Sequence, residues 1–315
     1  MKSYNIAFFT EGNWNGRVDR KHPNMRTDLA WQCALKSFHY PIGHDTHRIP
    51  DKYYDMGVYI VPKKNPVFDI TEVRRLCRVV AVMQEGPRWF WQDWPLNYQF
   101  DYLGLLRDVD RIYVHNKSDV SYFRGLAGGY QHVYVLPSLM IHDAIAIESL
   151  TPPEKRSGVM IGGNFVSWYG GADSYIVAHE FDTQIYAPSM GRKQAAEPSI
   201  SNIEYLPYID WSSWITELSK RKYAVHLMRT HAAGTFALNC AYLGIPCIGY
   251  HGLDTQELLH PHTTIKDGDL QGAVEIAQLL HGDAKFYELC SMSARAHYDS
   301  YYTEDKFLKN FEETL

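Results

Sequence analysis

Residues 223–250 read YAVHLMRTHAAGTFALNCAYLGIPCIGY. The apolar run 223–228 is short and nearly unbroken, as in a buried strand. Arg229, Thr230 and His231 open a loop, and Gly234 with Thr235 begins a helical run that ends at Leu243-Gly244. Ile245-Pro246-Cys247-Ile248-Gly249 is the next strand. Strand, loop, helix and strand in this order make one turn of a parallel α/β sheet. The loop then lies outside the carboxyl end of a strand, where such sheets bind ligands. It also sits at a helix N-terminus, whose free N–H groups and dipole favour phosphate.

The same alternation runs outward in both directions. Before the stretch, residues 4–9 read as a strand, followed by a loop rich in Gly and Asn from Thr10 to Gly16. A helix over 25–38, strands over 45–49 and 57–61, and a helix over 71–78 follow. Residues 79–83, VVAVM, form a continuous apolar run of the kind a central parallel strand shows. Helix 97–107, strand 111–115, a helix starting with Asn116 or Ser118 as cap, and strand 132–136 complete the first half. Residues 147–157, IESLTPPEKRS, are polar and carry Pro152-Pro153, the best linker in the chain. The alternation then restarts with strands at 159–161 and 183–187, an extended piece at 205–208, and a helix capped by Asp210 or Ser212. Beyond the opening stretch come a strand at 263–265 and helices over 269–281, 284–298 and 303–315. The expected fold class is α/β, with two Rossmann-like doubly wound domains, 1–150 and 151–298, facing a cleft, plus a C-terminal helix at 299–315.

Composition narrows the function. The 315 residues are 45% hydrophobic with 8 Trp and 23 Tyr, enough for a large core. The net charge of −5 argues against a chain-wide polyanion-binding surface and leaves nucleic acid to a local basic face. The five cysteines are scattered with no C-x-x-C spacing, which favours a reducing, cytoplasmic setting without disulfides or structural zinc. No run approaches the roughly 18 apolar residues that cross a bilayer, and the N-terminus does not read as a signal peptide, so no membrane partner is expected. Asp108-Val109-Asp110 and Asp267-Gly268-Asp269 have Asp-x-Asp spacing but stand where acidic residues serve as turns and caps; no metal ligands and no permanently bound cofactor are assigned.

One carboxylate stands out. Glu85 follows the apolar run 79–83 and precedes Trp89, Trp91 and Trp94. A carboxylate at the mouth of a central strand can act as a general base, and neighbouring tryptophans can dry the site and raise its pKa. The alternative is a cap or salt-bridge carboxylate beside packing aromatics. The tryptophans could equally stack a base or a sugar. The 10–16 loop, with glycines that allow close backbone approach, is either ligand-facing or an ordinary surface loop; its spacing is not that of a dinucleotide fingerprint.

With both halves laid out, the pattern resembles the two-domain GT-B glycosyltransferases, whose second domain holds the nucleotide sugar. Their signature is Glu-x7-Glu, with the second Glu five residues before the Gly of a Gly-x-Pro. Gly244-Ile245-Pro246 fits, but the two Glu positions fall on His231 and Asn239. Within that family, three windows resemble the phage DNA β-glucosyltransferases. Gly162-Gly163-Asn164-Phe165 is similar to their Gly-Gly-Ser-Phe, the 235–246 helix and strand take the matching place, and Glu85 precedes Trp94-Pro95 at the interval of their catalytic aspartate. The two arginines that follow Gly-Gly-Ser-Phe there are replaced by Val166 and Gly170.

The resemblance implies a metal-independent, inverting transfer from a nucleoside-diphosphate sugar, UDP-linked, with Glu85 as general base. It implies a nucleotide-sugar site at Gly162, Gly163, Asn164, Arg192, Tyr208, Arg229, His231, Gly234, Thr235 and Asn239. In this scheme Asn239 would reach a ribose hydroxyl, and Arg229 or Arg192 the diphosphate. The acceptor side would be Glu11, Gly12, Asn13, Trp89 and Trp91, on a first domain against which the C-terminal helix would pack back. The acceptor it points to first is a 5-hydroxymethylated pyrimidine in double-stranded DNA, in the host cytoplasm of a bacteriophage. The other readings are transfer to a glycan, lipid or small molecule, and a catalytically degenerate nucleotide-sugar-binding protein.

Overall fold

The computed structural model describes residues 4–25, 27–64, 66–84, 86–129, 132–166, 168–188 and 199–315. They form two compact units. The first comprises residues 1–20, 26–141 and 304–315, the second 21–25 and 142–303. Among the described residues no helix is long and apolar enough to cross a membrane.

The first unit is a six-stranded, wholly parallel sheet. Its strands are β1 (Ile6–Thr10), β2 (Phe38–Pro41), β3 (Tyr54–Val61), β4 (Cys77–Gln84), β5 (Arg111–Val114) and β6 (His132–Val135), in the order β2-β1-β3-β4-β5-β6. Helices α1 (Thr27–Ala34), α2 (Thr71–Leu76), α3 (Leu96–Asp108) and α4 (Lys117–Leu126) make the crossovers. The run 79–83 is the inner part of β4 and is buried through Val80, Ala81, Val82 and Met83, as a strand covered on both faces must be.

The last helix, α11 (Glu304–Glu312), belongs to this unit. It buries Phe307 and Phe311, one turn apart, and each such ring contributes roughly 1.5–3 kcal/mol. Beyond it Thr314 shares a hydrogen bond with the Tyr113 hydroxyl at 2.8 Å, and Arg111 donates to the Leu315 carbonyl at 2.8 Å.

The second unit repeats the plan. Strands β7 (Val159–Ile161), β8 (Ile185–Ala187), β9 (Ile203–Tyr205), β10 (Tyr223–His226), β11 (Cys247–Tyr250) and β12 (Thr264–Ile265) are all parallel, in the order β12-β11-β10-β7-β8-β9. Around them lie α5 (Gly171–Ala178), α6 (Trp211–Ser219), α7 (Thr235–Leu243), α8 (Asp254–Leu259), α9 (Leu270–Gly282) and α10 (Ala284–Tyr301). Asp210 caps α6 by accepting from the Ser213 N–H at 2.8 Å, and Asp269 caps α9 through Gly272 at 2.9 Å. The expectation of two doubly wound parallel α/β units is met.

Two local expectations fail. The strand expected at 45–49 is a turn region, and β2 lies earlier, at 38–41. The helix expected over 25–38 stops at Ala34, because Lys36 turns into the left-handed region at φ 51° and redirects the chain. The carbonyls of Thr46 and Ile49 are taken by the Arg75 guanidinium on α2, not by a neighbouring strand. Helices α5 and α8 have no counterpart in the sequence reading; both are short and follow glycine-containing loops.

Candidate functional site

In the second sheet β7 and β10 are neighbours, yet their crossovers leave toward opposite edges. This is the topological switch point, where a crevice opens beyond the strand ends. Gly162 leaves β7 with its N–H still donating to the Val225 carbonyl of β10, at 2.8 Å. A Cβ on Gly162 would lie 2.5 Å from the ring of His226 and 2.7 Å from that of Phe236, and one on Gly163 only 2.4 Å from the Tyr169 carbonyl. Any side chain there would collide with β10 or with the loop's own return. Asn164 follows, 3% exposed, with neither amide atom hydrogen-bonded. A buried amide left unpaired costs on the order of 1–3 kcal/mol, which a bound polar ligand would recover.

β10 ends at His226. Burial holds its imidazole well below the usual value, at about 4, so it is neutral near pH 7. Its Nε2 is buried without a partner, and its ring meets Phe236 of α7 edge-on at 5.2 Å. Three residues on, Arg229 is half-exposed and already engaged. It donates to Asp173 of α5 at 3.1 Å, lies 3.6 Å from Asp267, and stands 5.7 Å over the Tyr250 ring. The Tyr250 hydroxyl donates to the same Asp173 carboxylate at 3.2 Å. The imidazole of His231 packs against Gly252, where a Cβ would come within 2.3 Å of Nε2.

Gly234 then takes the N-cap position of α7 in the left-handed conformation, φ 65°, and Thr235 is the first helical residue. No side chain caps this helix, whose first N–H groups therefore lack partners, and the helix starts beyond the carboxyl end of β10. A Cβ on Gly234 would fall 1.9 Å from Oγ1 of Thr255, in the first turn of α8. Asn239 lies one turn further along α7, buried. In the orientation that satisfies its amide it donates to the Thr235 carbonyl at 3.1 Å and accepts from the Trp214 indole at 3.0 Å. The first bond stays within α7, the second ties α7 to α6, and together they engage the amide within the unit. Tyr208, 77% exposed, stands beyond β9, and Arg192 lies outside the described residues.

Glu85 lies outside the described residues. Its neighbour Gln84 ends β4 and is locked, accepting from the Tyr102 hydroxyl at 2.7 Å and donating to the Pro87 carbonyl at 2.5 Å. The packing alternative describes Trp91 and Trp94, both 8% exposed: their indoles donate to the Tyr122 hydroxyl at 3.1 Å and to the Lys63 carbonyl at 3.2 Å. Trp89 is half-buried. Glu11, Gly12 and Asn13 are exposed, and the loop they form is pinned where Trp14 stacks on His39 at 3.9 Å. Among the described residues no group of three or more His, Cys, Asp or Glu side chains could hold a metal ion.

No protein-family model matches the sequence, and no curated protein resembles it in sequence. Solved structures do share its backbone. Sucrose-phosphate synthase from Thermosynechococcus elongatus superposes with a TM-score of 0.69 at 9% identity, over 98% of both chains. Anabaena HepE, solved in complex with UDP and glucose, gives 0.67 at 10% identity over 99% of both chains. TarM of S. aureus gives 0.61 at 7% identity, over 82% of this chain and 55% of its own.

The chain has the GT-B fold.

At such identities the likeness is one of backbone, so the side chains of the site rest on this chain's own geometry. Within the GT-B fold the second unit carries the glycine-lined loop, the neutral His226 and the uncapped α7 on one sheet edge. Sequence reading missed three residues there. His226 was read only as part of a strand, although a polar residue closing an apolar run was a signal. Asp173 and Thr255 had none, since each reaches the edge from a helix that the pattern did not reveal.

Proposed function

We propose that the protein is a glycosyltransferase that takes a sugar from a nucleoside diphosphate, UDP first, and passes it to a hydroxyl acceptor. The observation that carries this is the carboxyl edge of the second sheet. There Gly162 and Gly163 keep the backbone bare, α7 offers uncapped N–H groups, and Asn164, His226 and Thr255 hold buried polar atoms without partners. Backbone N–H groups at a helix start suit a diphosphate, and stabilise it further as it gains charge on leaving. The UDP and UDP-glucose complexes of HepE, alike in fold across the whole chain, support the choice of nucleotide.

In this proposal Gly162, Gly163, Asn164, Gly234 and Thr235 hold the donor, with Arg229 and His231 beside them, and the nucleotide sugar is a co-substrate. Glu85 is the general base that takes the acceptor proton in an inverting transfer. The hydroxymethylated-DNA acceptor rests only on the three windows similar to the phage enzymes; the UDP-bound relatives in fold add nothing to it. A second reading, a nucleotide-sugar-binding protein without transfer, is favoured by one observation. His231 and Asn239 stand where the family signature has glutamates, and the Asn239 amide is engaged internally.

The test is calorimetry with UDP, ADP and GDP, followed by a mass-spectrometric screen of UDP-sugars against hydroxymethylated DNA, unmodified DNA and simple glycans. Binding with transfer or slow donor hydrolysis is the expected result. Binding without either selects the second reading, and no binding to any nucleoside diphosphate sinks both.

A further inference from the structure

The N-cap of α7 is a left-handed glycine, so no side chain of its own stands at the start of the helix. Thr255, 21 positions further along the chain, closes on that glycine from α8. A Cβ built on Gly234 would come within 1.9 Å of Thr255 Oγ1 and 3.2 Å of its Cβ. Gly234 is left-handed, φ 65°, so it does not present the geometry in which an N-cap side chain accepts from the helix's own N–H groups. Thr255 Oγ1 is buried, the residue is 3% exposed, and the hydroxyl makes no hydrogen bond. A donor hydroxyl and the first N–H groups of a nine-residue helix therefore stand side by side at the start of α7, and the hydroxyl bonds none of them. Several donors around one point suit a ligand rich in lone pairs and negative charge, and phosphate oxygens meet both conditions. Arg229 does not stand free for this task, since Asp173 and Asp267 already share its guanidinium.

Resting on the donor reading above, we infer that Thr255 is a diphosphate-binding residue, its hydroxyl donating to a phosphate oxygen seated on the N-terminus of α7. Without a ligand, the buried hydroxyl destabilises the unit, and replacement by an isosteric apolar side chain relieves that cost.

The experiment uses the full chain with Thr255→Val and Thr255→Ser. Affinities for UDP, UMP, uridine, pyrophosphate and inorganic phosphate are measured by calorimetry, and melting temperatures without ligand by scanning calorimetry. Thr255→Val should bind UDP about tenfold more weakly, the loss expected for one hydrogen bond to a charged group. Its uridine affinity should stay within about twofold of the wild type, because uridine has no phosphate. It should melt at or above the wild-type temperature, and Thr255→Ser should recover UDP binding. UDP affinity unchanged in Thr255→Val overturns the inference while the donor reading stands. So does a clear fall in its melting temperature, which would reveal an internal partner for the hydroxyl, and so does an equal loss for uridine. A wild-type protein that binds no nucleoside diphosphate and no pyrophosphate overturns both, and does so before any variant is made. Wild-type affinity for inorganic phosphate matching that for UDP would make the seat a free-phosphate site and overturn the diphosphate assignment.

Discussion

Lowering the pH from about 7 toward 5 should destabilise the second unit, and His226 is a principal cause. Burial holds its imidazole at about 4, while the unfolded chain titrates near 6.5. Between those values the unfolded state binds a proton that the folded state refuses. Stability is therefore complete above about pH 6.5 and is lost as the pH falls toward 4. The slope in the middle of the window is about 1.4 kcal/mol per pH unit per histidine, and the full loss is on the order of 3 kcal/mol. His260 behaves alike: it is buried, held at about 4, and hydrogen-bonded through Nε2 to the Ala237 carbonyl at 2.9 Å. Two such groups double the slope. The carboxylates that hydrogen bonding depresses, Glu72, Asp69 and Asp210 among them, lose their contribution below about pH 5 and leave the range from about 5 to 7 clear. Urea unfolding at several pH values from 5 to 7, followed by fluorescence, would read the slope. Substitution His226→Gln shifts stability at every pH but should remove about one proton's share of the slope. A His226→Gln protein with the wild-type slope would refute the claim that this imidazole is buried and neutral.

Other outcomes follow from the same geometry. Glu85→Gln should slow transfer by a factor of about 100 or more while UDP binding stays intact, as for a lost general base; an active variant would remove Glu85 from the chemistry. Arg229→Ala should weaken UDP binding only about threefold to tenfold, because two carboxylates already share its charge, and unchanged affinity in calorimetry would exclude it from the site. Gly170→Ala should cost the second unit about 2–5 kcal/mol, combining the left-handed backbone at φ 64° with a Cβ 1.9 Å from the Leu227 carbonyl. A urea midpoint equal to that of the wild type would show that the loop has room to spare.

Much of this protein was legible in its sequence because the signals are local. A strand buried on both faces must be apolar along its length, so 79–83 and 223–226 announced themselves. The helix over 235–243 was readable from a Gly-Thr start and a Gly-Ile-Pro exit. Where the signal was weak, local reading failed. The strand expected at 45–49 lost its carbonyls to Arg75, a partner about 30 positions away that no periodicity reveals.

What only the tertiary structure decided is which distant residues meet. Strand order sets β7 beside β10 and so brings Gly162 against His226 and Phe236; periodicity is the same for any strand order. The protonation state of His226 depends on being enclosed by those neighbours, since desolvation acts through space and not along the chain. The partners of Asn239 lie on another helix as well as its own, and Thr255 reaches the cap of α7 only because α8 folds back over it. Residues 223–250 by themselves determined a strand, a phosphate-favouring helix start and a strand. Their hydrophobic period is a property of consecutive residues, whereas a binding site is a property of the contacts that long-range packing creates.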